Sequence, residues 1–153
     1  MVPYQIQRAQ QSDLELAAGL FNQYRMFYGK ESDVLSARQF LKDRLDHEES
    51  VIFLITGDSS EEGMGFAQLY SSFSSLSMKK IWILNDLFIA PPYRKRGLGK
   101  QMLQKIHEFC KASGAAGITL ETGIQNLSAQ GLYEKSGYIK NEAYFSYGCY
   151  FEG

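Results

Sequence analysis

The sequence predicts an α/β (α+β) fold in which a mixed central β-sheet of six to seven strands is flanked by about four helices. Short runs of β-branched and aromatic residues alternate along the chain with longer segments whose apolar residues recur at helical spacing. The 153 residues are 44% hydrophobic and 22% charged, and they show no repeat and no linker. We therefore expect one domain, spanning residues 1–153, with its own core.

The elements follow from local patterns taken in chain order. Ser12 and Glu15 form a capping-box pattern that predicts a helix start, and Gly29 predicts the end of that helix. From Tyr138 onward, Tyr and Phe are frequent enough to predict two short strands that end near Phe151. The other predicted elements are a strand at 4–9, a helix at 35–47, a hairpin of strands 51–56 and 64–71 around the polar turn 57–63, a strand at 81–89, a helix from Leu98, a strand at 116–121 and a helix at 127–135.

Residues 81–103 hold the strand, turn and helix around which the chain is organised. Pro91 and Pro92 end an apolar strand, and the next helix opens with Gly97 and Gly99. The first N–H groups of a helix have no partner within it, and glycines leave those groups open to a ligand. Four basic side chains add positive charge there, namely Arg94, Lys95, Arg96 and Lys100. The pattern predicts a phosphate or pyrophosphate site, and the alternative is a basic helix start without a ligand.

The spacing differs from two common phosphate motifs. A P-loop needs Ser or Thr after Gly99-Lys100, where this chain has Gln101. A dinucleotide fingerprint needs a third glycine, where this chain has Met102.

Two blocks resemble the GNAT superfamily of N-acetyltransferases. The pattern Arg94-x-x-Gly97-x-Gly99 after an apolar strand is similar to the acetyl-CoA pyrophosphate loop of that superfamily. The later block from Asn126 to Tyr138, with Tyr133 seven residues after Asn126, is similar to its second motif. The resemblance implies a mixed sheet that splays open near its middle to hold acetyl-CoA, and direct transfer of an acetyl group to a primary amine.

The resemblance also implies roles for individual residues. Tyr133 would be the acid that protonates the leaving thiolate; the alternative is that its ring packs against the sheet. Asn126 would bind the pantetheine arm, and it is also a plausible helix N-cap. The backbone at Leu87, Phe88 and Ile89 would pair with pantetheine, or form ordinary core strand. The implied cofactor-binding residues are Leu87, Phe88, Ile89, Arg94, Lys95, Arg96, Gly97, Leu98, Gly99, Lys100, Asn126 and Ala129.

Asn85 and Asp86 interrupt the apolar strand, and only one of two adjacent strand residues is expected to reach a given cleft. The surrounding segment resembles the diamine (spermidine/spermine) acetyltransferases most closely, and also the yeast histone and polyamine acetyltransferases. The diamine enzymes have a Glu where this chain has Asn85, and an amide cannot serve as a base. Asp86 is the predicted proton acceptor; Glu121 or a water chain are alternatives, and Asp86 is otherwise a structural acid.

The first helix carries Tyr24-Arg25, where the diamine enzymes carry a Tyr-Glu pair. A guanidinium prefers a carboxylate or phosphate, so we expect a small amine that also bears an anionic group, such as an amino acid. Tyr24, Arg25, Tyr28 and Asn85 are the predicted substrate-binding residues. Arg25 as a solvated surface residue, acetylation of protein lysines or polyamines, and a non-catalytic acyl-CoA sensor are the alternatives.

Composition bounds the partners and the compartment. The formal net charge of −1 argues against nucleic acid, and the sequence has no apolar run for a membrane span and no signal peptide, so we expect a cytoplasmic protein. Cys110 and Cys149 are predicted to be buried free thiols, and no metal site is expected. His47 and His107 are expected at outer positions without a role. The aromatic C-terminal strands predict either core packing or the contact of a homodimer.

Overall fold

The computed structural model describes residues 3–58 and 62–152, so the tip of the predicted 57–63 turn lies outside the described residues. The chain divides into two compact units, Met1–Glu121 and Thr122–Gly153. The first unit holds, in order, β1 (Tyr4–Arg8), α1 (Leu14–Phe27), α2 (Val34–Asp46), β2 (Ser50–Gly57), β3 (Gly63–Ser74), β4 (Lys79–Ile89), α3 (Leu98–Ala112) and β5 (Ile118–Thr119). The second unit holds α4 (Leu127–Lys135).

The five strands form one mixed sheet in the order β1-β2-β3-β4-β5. The first four strands pair antiparallel with their neighbours, and β5 runs parallel to β4. A hairpin joins β2 to β3, as the sequence predicts. The element order is confirmed as far as α4.

Helices cover both faces of the sheet. On one face, α1 and α2 pack over a core that includes Phe21, Leu41, Phe66 and Phe88. On the other face, α3 places Phe109 against Phe53 of β2 and Trp82 of β4, with ring centroids 5.6 and 5.3 Å apart. Every residue of β2 is buried, as expected for a strand covered on both sides.

The predicted capping box at Ser12 is wrong. A short 3-10 turn, Gln11–Asp13, precedes α1, and the N–H of Gln10 donates to the carboxylate of Asp13 over 2.8 Å. Glu15 forms an ion pair with Arg38 of α2. The Glu15 carboxylate therefore binds a residue of a second helix, whereas the capping pattern predicted a local hydrogen bond at the start of α1.

The prediction of six to seven strands is also wrong, because the described residues of the C-terminal segment, 138–152, form no strand. Aromatic residues favour strands mainly through the neighbours against which they pack, so aromatic content alone does not make a ladder. Five aromatic side chains of the segment are exposed, namely Tyr144, Phe145, Tyr147, Tyr150 and Phe151.

The two cysteines differ in their surroundings. Cys110 is a buried free thiol on α3, as predicted, whereas Cys149 is exposed, contrary to the prediction. Cys149 lies in the segment that was expected to be a packed strand, so the two errors have one origin. Of the described residues, no helix is both long and apolar enough to span a membrane.

Candidate active site

A β-bulge at Asn85 shapes the end of β4. Leu84 pairs with Leu69 of β3, whereas Gln68 pairs with Asp86, so Asn85 is an extra residue between two regular pairs. Side chains show the same shift. Trp82 packs on the α3 side of the sheet, whereas Phe88, six residues later, packs on the α1 side with its ring 6.1 Å from that of Tyr24.

The bulge turns two adjacent polar side chains to the same face. Asn85 and Asp86 both line one pocket, so the expectation that only one of them could reach a cleft is wrong. Strict alternation fails here because the inserted residue resets the strand. No local sequence signal distinguishes such an insertion from a regular strand.

The bulge also precedes an unpaired strand edge. In the part of the chain that the structure describes, β5 pairs only with Trp82 and Ile83, so β4 has no partner on that side from Leu84 onward. The N–H of Ala90 donates to Met64 of β3, and the carbonyl of Ile89 accepts instead from Nε of Arg94 over 2.8 Å. By alternation, the backbone groups of Leu87 and Ile89 point to the open edge, and those of Phe88 point to β3.

Asp86 is the buried acid of the pocket, and its side chain is only 4% exposed. Its carboxylate accepts from Nε2 of Gln68 over 2.8 Å and from Nδ2 of Asn85 over 3.2 Å, and it also bonds with the side chain of Tyr24. Burial raises the pKa of Asp86 above its usual range, although the bonds from Gln68, Tyr24 and Asn85 act against that rise. A carboxyl with a raised pKa is a candidate proton acceptor.

The pocket around Asp86 has a volume of about 320 Å³ and combines aromatic walls with two cations. Arg25 comes from the last turn of α1, and Lys30 follows that helix. Burial, followed by the charge of Asp86, raises the pKa of Tyr70 to about 12, so its hydroxyl stays protonated at neutral pH. The complete lining is Phe21, Tyr24, Arg25, Tyr28, Lys30, Phe40, Tyr70, Asn85 and Asp86.

The turn between β4 and α3 has the features of an anion site. α3 begins at Leu98 after Gly97, which has a φ of +77° and whose Cβ position has no neighbouring atom within 4 Å. No side chain caps this helix start, and the carbonyl of Gly97 accepts from the N–H of Gln101. The guanidinium of Arg94 lies over Phe27 and Phe88, 5.3 and 5.5 Å from their ring centroids. Lys95, Arg96 and Lys100 are exposed.

The second unit positions the residues of the later motif around α4. Oδ1 of Asn126 accepts from the N–H of Ala129 over 3.2 Å, so Asn126 is the N-cap of α4. That bond leaves the amide nitrogen of Asn126 able to donate. Tyr133 lies in α4, with its ring 5.6 Å from the ring of Tyr138.

The remaining candidate groups do not line the pocket around Asp86. Burial raises the pKa of the Cys110 thiol to about 11, so it is not a thiolate at neutral pH. His47 ends α2 at an exposed position, and burial lowers the pKa of His107, which is half-buried on α3. Glu121, the alternative acid, is exposed two residues after β5. The described residues contain no cluster of metal-ligating side chains.

Comparison with known proteins decides the family. A sequence profile of the acetyltransferase (GNAT) family matches residues 17–138. The chain belongs to the GNAT family. The GNAT-type fold with a mixed sheet is therefore confirmed, as is the prediction of an N-acetyltransferase, and GNAT acetyltransferases use acetyl-CoA.

Individual relatives agree with this assignment. An uncharacterized N-acetyltransferase, YhfO, of Bacillus subtilis (strain 168) is 44% identical over 142 residues, which are 93% of this chain and 94% of that protein. A crystal structure of a probable acetyltransferase is 37% identical, has a TM-score of 0.91 and covers 97% of this chain and 99% of that one. An aminoglycoside N-acetyltransferase in complex with CoA shares the fold, with a TM-score of 0.80 and 18% identity over 97% of this chain and 96% of that one.

The structure of this GNAT protein brings the predicted substrate residues together and adds others. Tyr24, Arg25, Tyr28 and Asn85 line the pocket with Asp86. Sequence reasoning missed Gln68, Lys30 and the aromatic walls Phe21, Phe40 and Tyr70. Gln68 interrupts the apolar run of β3 as Asn85 and Asp86 interrupt β4, and that interruption was the available signal.

Proposed function

We propose that this GNAT enzyme transfers an acetyl group from acetyl-CoA directly to the primary amine of a small molecule that also carries an anionic group, such as an amino acid. The observation that carries the proposal is the charge pattern of the pocket, in which the buried Asp86 is accompanied by Arg25 and Lys30. The acid suits the amine, and the two cations suit a carboxylate on the same molecule. A volume of about 320 Å³ suits an acceptor of this size.

The residues of the turn fit the pyrophosphate of acetyl-CoA. Gly97 leaves its Cβ space open, and the first N–H groups of α3 are without a side-chain cap. Arg94, Lys95, Arg96, Gly97, Leu98, Gly99 and Lys100 would hold the pyrophosphate. The backbone groups of Leu87 and Ile89, at the open edge, would pair with pantetheine, whereas those of Phe88 point to β3 and are not available for it. Asn126 and Ala129 would bind the pantetheine arm.

The chain's own groups account for the proton transfers. Asp86 would take a proton from the acceptor's ammonium, which leaves a neutral amine to attack the thioester carbon. The new C–N bond forms as the C–S bond breaks. Tyr133 would give its proton to the sulfur and regain one from the nitrogen, which must lose a second proton to become an amide. A phenol with a pKa of about 10 suits a thiolate of comparable basicity. The burial of Cys110 supports transfer without a covalent enzyme intermediate.

An acceptor panel with acetyl-CoA, followed by release of free thiol, tests the substrate class. We expect an amino acid with an apolar side chain to react faster than the matched amine that lacks the carboxylate. The sequence also predicts a resemblance to diamine and lysine acetyltransferases. Spermidine and a lysine peptide in the same panel test whether the acceptor is an amine of either kind. Faster acetylation of spermidine than of any amino acid would contradict the proposal.

A variant of Arg25 tests the anionic group directly. We expect Arg25→Gln to lower kcat/KM for the amino acid by about tenfold, roughly the loss of one charge-assisted hydrogen bond, and to leave the decarboxylated amine unchanged. Arg38→Gln is the matched control, because Arg38 is also a helical arginine but pairs with Glu15 outside the pocket. Equal losses for both amines would show that Arg25 does not bind a carboxylate.

Domain organisation, assembly and compartment complete the proposal. The family match over 17–138 crosses the boundary at Thr122 and supports a single domain.

We propose a cytoplasmic homodimer that buries the aromatic C-terminal segment, and the exposure of its side chains supports that assembly. Light scattering should give twice the mass of the chain, and a monomer at micromolar concentration would contradict the dimer.

A further inference from the structure

Gln68 is a fully buried amide in the middle of β3. Its side chain is 0% exposed, and its neighbours in sequence, from Met64 to Leu69, are otherwise apolar. Its Nε2 donates to Asp86, whereas its Oε1 is buried without a partner among the described residues. A buried amide that uses only its donor requires an explanation, because an unsatisfied polar atom destabilises a core.

The explanation lies in the two protonation states of Asp86. A carboxylate only accepts hydrogen bonds, whereas a carboxylic acid also donates one. An amide offers a donor at one end and an acceptor at the other, and turning it over exchanges the two. Because Gln68 and Asp86 are paired across β3 and β4, the sheet itself holds the two side chains at this distance.

We infer that Gln68 is the positioning residue that holds the Asp86 carboxyl in place both before and after it takes the proton of the acceptor amine. Before transfer, Nε2 donates to the carboxylate. After transfer, the proton lies on Asp86, the amine is neutral, and the amide turns over so that Oε1 accepts from the acid. This inference rests on the proposed function, in which Asp86 is the proton acceptor.

Other groups also face Asp86, but those that bond with it are less buried than Gln68. Tyr24 and Asn85 also bond with Asp86, but they line the pocket, and Asn85 is exposed. Arg25 and Lys30 bring positive charge from α1 and the segment after it, Tyr28 brings a hydroxyl from the same segment, and Tyr70 brings a hydroxyl from β3. The positive charge of Arg44 in α2 acts to lower the pKa of Tyr70, and Arg44 forms an ion pair with Glu49.

The direction of the effect follows from the contacts. Burial raises the pKa of Asp86, and the bond from Gln68 is the largest of the contributions that lower it. Without that donor, the carboxylate loses stabilisation and the pKa of Asp86 rises further. The bond to the carboxylate is charge-assisted and therefore stronger than the bond to the acid, and the difference between the two corresponds to about one pH unit.

The test compares Gln68→Met with Leu69→Met. Methionine has nearly the length of glutamine but cannot donate a hydrogen bond and accepts one only weakly. Leu69 is equally buried but faces the other side of the sheet. We expect the acid limb of kcat/KM against pH to move up by about one unit in Gln68→Met and to stay in place in Leu69→Met. A loss of rate that is equal at every pH would overturn the inference, because Gln68 would then only fill space.

A second measurement does not depend on turnover. The carboxyl 13C signal of Asp86, assigned by its loss in Asp86→Asn, is titrated in the full-length wild type and in Gln68→Met. We expect a higher midpoint in the variant, and an unchanged midpoint would overturn the inference whatever the kinetics. If the midpoint moves but the kinetic limb does not, the contact is correct and Asp86 is not the proton acceptor.

A further variant is used if the Gln68→Met protein does not fold. If Gln68→Met shows no cooperative melt, Gln68→Glu is titrated in the same way, because it keeps the size of the side chain and replaces the amide with a second acid. We expect the two acids to titrate in two steps, the upper one above the wild-type midpoint, since two neighbouring carboxyls resist ionisation together. An unshifted midpoint in this variant would also overturn the inference.

Discussion

Replacing Gly97 with alanine tests how the start of α3 is built. Gly97 adopts a left-handed φ of +77°, which disfavours residues that have a Cβ. The Cβ of an alanine there would meet no atom within 4 Å, so the substitution costs backbone strain and no steric clash. We expect Gly97→Ala to lower the free energy of unfolding by about 1–2 kcal/mol. For a chain of this length, the melting temperature should fall by about 2–8 °C.

Two further variants separate strain from collision. Gly97→Asn should lose less stability than Gly97→Ala, because asparagine tolerates the left-handed region. At Gly65, an added Cβ would lie 2.8 Å from the backbone oxygen of Phe88 and 2.8 Å from Cδ1 of Ile89. That oxygen belongs to β4 and cannot move without disturbing the sheet, so Gly65→Ala should cost about 3 kcal/mol or more.

Thermal and urea unfolding followed by circular dichroism measure these differences. The expected order of stability is wild type, Gly97→Asn, Gly97→Ala, Gly65→Ala. Two results would refute the account based on backbone strain. One is that Gly97→Ala is as unstable as Gly65→Ala, and the other is that Gly97→Asn is less stable than Gly97→Ala. Calorimetric titration with CoA adds a separate readout, in which both Gly97 variants should bind more weakly because both place a side chain beside the helix amides.

Two other substitutions probe the proposed chemistry. Asp86→Asn should lower kcat/KM by at least about 100-fold and abolish its acid limb. The Asp86→Asn protein should also be more stable than the wild type at pH 7 but not at pH 3. Burial raises the pKa of Asp86 in the folded protein above its pKa in the unfolded chain. The free energy of unfolding of the wild type therefore falls as the pH rises from the unfolded-state pKa to the folded-state pKa. Urea unfolding at both pH values checks this, and the same difference at both would contradict it. Tyr133→Phe should lower kcat more than it raises the KM for acetyl-CoA, and an unchanged kcat with a higher KM would reassign Tyr133 to binding.

The parts of the fold that local chemistry determines were predictable from the sequence. The glycines and the apolar stripe place the start of α3 at Leu98, and the structure starts it there. α4 likewise has the predicted bounds, because Asn126 caps its first turn. At both places, the deciding contacts lie within a few residues of one another in the chain.

The missed features depend on contacts between distant residues. The bulge at Asn85 is a property of the register between β3 and β4, and no pattern within β4 alone encodes it. Gln68 gained a possible role only when its cross-strand partner proved to be Asp86. Glu15 matched a local capping pattern, but its ion pair with Arg38 forms between two helices. The C-terminal strands were inferred from composition, which does not specify a ladder partner.

The extra residue at position 85 can be separated from the rest of the β3–β4 pairing. Because the pairs on either side of Asn85 are regular, deletion of its single codon would leave every remaining pair of β3 and β4 in register. Such a deletion would keep Asp86 opposite Gln68 but remove the second polar group and the local twist beside the open edge. A single inserted residue thus brings an amide into the pocket and a bend into the strand without any change of topology.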